Sequence, residues 1–109
     1  MIINFNEIEE VVYPNFRGGE KEFATRTFND NVNKILHAKL ITGASIGLHV
    51  HETNSEIIYI LSGTGKMLTD GVSEPLSAGS CNYCPKGHAH SMINDGSEDL
   101  IFFAVVAEQ

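Results

Sequence analysis

Apolar and polar residues alternate in short runs along this chain, and turn residues separate the runs. Lys21 to Phe28 (KEFATRTF) alternates well enough for a strand. Asn29-Asp30-Asn31 reads as a turn, and Asn33 to Thr42 as the next strand. That strand carries Leu36, Ala38 and Leu40 on one face and Ile35, His37, Lys39 and Ile41 on the other, so both faces are expected to be partly covered. Two strands follow within Gly43 to Gly63; the second opens at Glu56 and runs through the apolar Ile57 to Leu61. Lys66 to Thr69 and Val72 to Leu76 flank Asp70-Gly71, a strong hairpin signal. Pro75 marks the latter as an edge strand. Ser80 to Cys84 and Ala89 to Asn94 stand on either side of a Pro-Lys-Gly turn. Leu100 to Val106 (LIFFAVV) is apolar throughout and is expected to be buried on both faces.

The amino end is less regular. Met1 to Val12 shows no long period: Asn4 or Asn6 suits the cap of a helical turn, and a strand fits equally well. Tyr13 to Gly19 is turn-rich. Roughly ten short strands with no long helix predict an all-β sandwich or barrel. No linker or low-complexity stretch divides the 109 residues, which read as one domain.

Composition narrows the partners. At 42% hydrophobic and 19% charged residues the chain is ordinary for a soluble protein. Seven basic against fourteen acidic residues leave a formal charge of −7. That argues against nucleic acid, which is held by neutralising phosphates, and against anionic membrane surfaces. No apolar run approaches the roughly 20 residues of a membrane span, and the acidic start MIINFNEIEE is not a signal peptide. Cys81 and Cys84 lie three apart on one strand and face opposite ways, which suits two reduced structural thiols and a cytoplasmic location.

The candidate chemistry lies in the middle of the chain. His49 and His51 are two apart on a strand and project to one face. Glu56 follows across the polar ETNS turn, and His90 offers a fourth donor. Imidazoles and a carboxylate on neighbouring strands can converge on one divalent transition metal.

These residues stand at fixed spacings. Gly43, His49, His51, Glu56 and Gly63 match G(X)5-H-X-H-(X)3–4-E-(X)6-G, the first motif of the cupins. Gly79, Pro85, Gly87, His90 and Asn94 match G(X)5-P-X-G-(X)2-H-(X)3-N, the second. Fifteen residues lie between the motifs, a spacing that resembles small microbial cupins. One departure is Ser80, where many relatives carry Asp; it affects a loop and leaves the donors intact. The resemblance implies a double-stranded β-helix, or jelly-roll barrel, over residues 1–109. Residues 1–30 would form an N-terminal strand or arm, 43–63 the first motif and 79–94 the second.

The resemblance also implies one metal per chain, Mn, Fe, Ni or Zn, held by His49, His51, Glu56 and His90. Strand parity then puts Ile58, Ile60 and Met92 on the pocket wall. His88 shares parity with His90, and Arg26 could hold an anionic substrate; both are candidate catalytic groups. The implied activities are dioxygenases, decarboxylases of small carboxylic acids, and sugar-phosphate isomerases or epimerases. An open metal with an apolar lining fits the first two best, and a non-catalytic cupin that binds or senses a small ligand is the alternative. A homodimer is expected. Phe5, Ile8, Val11, Val12, Tyr13 and Phe16 have no assigned place in the core, and they should not all face water.

Overall fold

The computed structural model describes all 109 residues. Ten strands form two antiparallel sheets. They are β1 (Val11–Pro14), β2 (Glu22–Asn29), β3 (Asn33–Leu40), β4 (Ser45–Val50), β5 (Asn54–Ser62), β6 (Gly65–Thr69), β7 (Val72–Leu76), β8 (Cys81–Cys84), β9 (Ala89–Ile93) and β10 (Leu100–Glu108). The larger sheet runs β1-β2-β3-β10-β5-β8 and the smaller β4-β9-β6-β7. This is the expected jelly roll. The β6–β7 connection is a two-residue hairpin in which Asp70 and Gly71 both take positive φ, 50° and 81°. That is the backbone a tight antiparallel turn requires. The Pro75-bearing strand is the edge of its sheet, as expected. No helix is long and apolar enough to cross a membrane.

The inner face of the large sheet is built in rows. Thr25, Ala38, Phe102 and Ile60 pair across four strands and are all buried. One row further along lie Leu36, Ala104, Ile58 and Asn82, and beyond them Lys34, Val106, Glu56 and Cys84. Ile46, Met67 and Met92 close the core from the smaller sheet. The barrel is therefore plugged with hydrocarbon at one end and lined with polar groups at the other.

Two expectations are corrected. β10 is fully buried on one face only: Leu100, Phe102 and Ala104 face the core, whereas Ile101, Phe103 and Val105 are half-buried on the outer face. Its flanking strands cover its edges, but little lies over its outer side. The amino end also has a place of its own. Val11–Pro14 pairs with β2, and Asn4 caps a 3-10 turn over Phe5–Glu7. Phe5 packs on His37 and Phe103, with ring centroids 5.7 and 6.3 Å apart. Phe16 packs against the core, 5.0 Å from Phe23.

Candidate metal centre

β4 carries His49 inward only because it is irregular. Ile46 pairs with Met92 and His49 with His90, so three steps on β4 match two on β9. The extra residue is a bulge at Gly47-Leu48, which resets the alternation. Ile46 and His49, three apart, therefore both line the same cavity, while Leu48 points to solvent. His51 follows just past the strand end, tied to the β8–β9 turn by backbone bonds between His51 and both Gly87 and His88. Glu56 reaches in from β5 and His90 from β9.

The four donors converge as the spacing predicts. Their ligand atoms all lie within 4.8 Å of one another. The three imidazole centroids form a triangle with 4.9 Å sides. His51 Nε2 is 3.0 Å from His90 Nε2; Glu56 Oε1 is 3.1 Å from the former and 2.9 Å from the latter. Two ligands at right angles about a metal, each about 2.0–2.2 Å from it, stand about 3 Å apart.

The far side of each ring fixes its protonation. His49 Nδ1 donates to the Gly47 carbonyl at 2.7 Å, His51 Nδ1 to Asn54 Oδ1 at 2.6 Å and His90 Nδ1 to Asn82 Oδ1 at 3.0 Å. The two amides cannot be reversed without loss, because Asn54 Nδ2 donates to Glu108 and Asn82 Nδ2 to Thr69. With the proton on Nδ1, every Nε2 presents a lone pair to the others and to a carboxylate. Such a set needs a positive charge among its members, either a proton or a metal, so the donor set fits a cation. A carbonyl or amide oxygen behind each ligating imidazole is also what orients metal-bound histidines.

Without a metal, protons meet that need. Burial pushes the Glu56 carboxyl up, but the hydrogen bonds from His51 and His90 and their charges outweigh it and hold it at about 2. The bond to Glu56 raises His51. Burial lowers His49, against the opposing pull of the Gly47 carbonyl.

A cavity of about 330 Å³ opens over the donors. Ile58 and Met92 line it, as parity predicts; Ile60, paired with Phe102 in the next row, is fully buried in the core and does not. The two candidate catalytic groups are elsewhere. Arg26 is on the outer face, where it donates to the Ile8 carbonyl and holds the amino end down. His88 is at the exposed rim, paired with Asp70 at 2.5 Å. Sequence reasoning missed Gly47, Asn54 and Asn82 behind the rings, and Arg17, Lys34 and Glu52 at the mouth. A glycine inside a strand pattern signals a bulge, and Asn82 is a polar residue on the inward parity of its strand.

The family model for the cupin domain, Cupin_2, matches residues 36–106, which takes in both motifs. The oxalate-binding protein of Thermotoga maritima is 34% identical over 112 residues, covering 97% of this chain and 93% of that protein. The crystal structure of a predicted oxalate decarboxylase from the same organism superposes with a TM-score of 0.93 at 34% identity, covering 100% of both chains. A cupin domain from Schizosaccharomyces pombe shares the fold alone, with a TM-score of 0.80 at 12% identity over 100% of this chain and 74% of that one. The domain match over residues 36–106 and the 34% identity over nearly the whole length show that the chain belongs to the cupin family.

Proposed function

We propose that this cupin binds one divalent transition metal through His49, His51, Glu56 and His90 and, at that metal, a small carboxylate, with oxalate the first candidate. The convergence of three lone-pair nitrogens on one carboxylate carries the metal reading. The mixed imidazole–carboxylate set suits Mn or Fe as well as Ni or Zn. A bound metal would supply Lewis acidity and an open position for the ligand. Around it the chain's own residues do the shaping: Ile58 and Met92 exclude water, and the acceptors behind the rings hold the donors in place. The carboxylate reading is supported by the relative named for oxalate.

Calorimetry tests both parts. Protein loaded with Mn should bind about one equivalent of metal and then oxalate, and apo protein should bind no oxalate. Protein that takes up no Mn, Fe, Ni or Zn overturns the metal reading. Oxalate binding that is equal with and without metal overturns the arrangement.

A decarboxylase is the second reading, and Glu52 is the observation that favours it. Breaking the carbon–carbon bond of oxalate releases CO₂ and leaves an electron pair on the retained carbon, which must take up a proton to give formate. Glu52 is the one carboxyl on the cavity wall outside the four donors. Formate released from Mn-loaded protein, and lost in Glu52→Gln, supports turnover; no formate leaves a binding protein. We also infer that the protein acts as a homodimer in the cytoplasm, where Cys81 and Cys84 stay unpaired.

A further inference from the structure

We propose that Arg17 is the specificity-determining residue of the cavity and reads the second negative charge of the metal's ligand. The inference rests on the carboxylate reading above. Arg17 sits in the 3-10 turn Phe16–Gly18 with φ 55° and ψ 30°, and Asn15 just before it is also left-handed, at φ 52°. Non-glycine residues take this backbone rarely, and they keep it only where the surroundings impose it. Here they do. Asn15 Nδ2 donates to the Gly19 carbonyl, and the Gly18 and Gly19 amides close the turn onto Asn15 and Phe16. A Cβ on Gly47 would overlap the Arg17 carbonyl oxygen. The turn is thus pressed onto the β4 bulge at the residue whose carbonyl orients His49. The Arg17 backbone and a metal donor are seated on one glycine.

The side chain is correspondingly placed. Its guanidinium lies 5.7 Å from the centroid of the Phe16 ring, and that ring is wedged against Phe23 in the core. Arg17 lines the same cavity as the four donors. It has no partner of its own: the three ion pairs of the chain are His51–Glu56, His88–Asp70 and His90–Glu56. Glu52 is also at the mouth but does not neutralise it. Lys34 adds a second cation, in the same inner row as Glu56. Two of seven basic residues thus face one cavity in a chain of net charge −7. Glu56 cancels one of a divalent metal's two charges, so a ligand carrying two negative charges is the one this wall complements. A guanidinium suits the outward oxygens of such a ligand because it offers parallel N–H donors to a carboxylate.

The test is titration of Mn-loaded protein with oxalate, a dianion, and glyoxylate, a monoanion of similar size. Wild type should prefer oxalate. Arg17→Gln should lose about 10-fold or more in oxalate affinity, the worth of a charge-assisted hydrogen bond, and much less for glyoxylate. Arg17→Lys should fall between. Mn content and melting temperature of each variant report whether the turn still seats β4. An Arg17→Gln protein that keeps its Mn and its wild-type oxalate preference overturns the inference while leaving the carboxylate reading intact. Loss of Mn along with oxalate makes Arg17 a structural residue and also overturns it. Wild type that holds Mn but binds neither acid defeats the carboxylate reading and this inference together.

Discussion

The three histidines are alike in sequence, and what differs is the oxygen behind each ring. Asn54 and Asn82 each hold an imidazole with the amide oxygen and Glu108 or Thr69 with the amide nitrogen, so truncating either should loosen the metal. Asn82→Ala and Asn54→Ala should each weaken metal affinity about 10- to 100-fold, the usual cost of losing such a partner. His88→Ala, at the rim, should change it little; equal losses in all three variants would show that the oxygens behind the rings are not what matters. The same atoms set the pH dependence. Glu56, held at about 2, stays ionised throughout the neutral range. His51 is raised by Glu56, so its protonated form stabilises the apo fold below the ordinary imidazole range, and that contribution is lost as pH rises through the folded value. His49 is lowered by burial, so protonating it costs stability as pH falls. The two work against each other in the apo protein, whereas protons at either site expel the metal. Metal-loaded protein should therefore melt well above apo protein at about pH 7.5, and the gap should close toward about pH 5 because the loaded form falls. Paired melts check this; a constant gap would mean the histidines do not carry the metal.

The strands show why some features were legible and others were not. The unbroken apolar run LIFFAVV, the Asp70-Gly71 pair and the motif spacings are local signals, and they placed β10, the β6–β7 hairpin and the four donors. Parity tells which face a residue takes but not how deep it lies. Ile58 and Ile60 share a face, yet one lines the cavity and the other is buried a row below it. Arg26 failed for the complementary reason: it alternates with Thr25, which faces the core, and so faces out. The β4 bulge depends on what touches Gly47, and the partner is Arg17, thirty residues earlier in the chain. No window of local sequence contains that contact. A side chain at Gly47 must displace backbone, since a carbonyl cannot move aside as a flexible side chain can. Gly47→Ala should cost about 1–3 kcal/mol of stability, as overpacking does, and should weaken metal binding because the His49 acceptor shifts with it. Thermal melts and metal titration check both; unchanged values would show that the turn yields freely and that the seat is not rigid.

At the scale of the whole molecule, a second apolar surface joins the amino-terminal argument for a dimer. Phe16 is spent on the core and Phe5 on the outer face of β3 and β10, so neither needs a partner. Val11, Val12 and Tyr13 remain exposed on β1, and a second apolar surface is the outer face of β5 and β8. Ile57 (46% exposed), Tyr59 (44%), Leu61 (43%) and Tyr83 (56%) stand there, alternating with buried Ile58, Ile60 and Cys84. β8 is also one of the two edges of the large sheet, with β1 the other, and a free edge invites pairing. A second copy applied to this face would cover both features, and large contiguous apolar patches are uncommon on monomers. Each copy also brings a charge of −7, so like-charge repulsion opposes the contact. Salt screens that repulsion and leaves the apolar attraction in place. Light scattering at micromolar concentration should therefore give twice 11.9 kDa, and dimerisation should strengthen as salt is raised. Ile57→Asp with Tyr83→Lys should yield a folded monomer, whereas deleting Met1 to Val12 should leave the dimer standing. A wild-type monomer at all salt concentrations would mean that this face is solvent-exposed in the working protein. A dimer that survives the double substitution would place the contact on another surface.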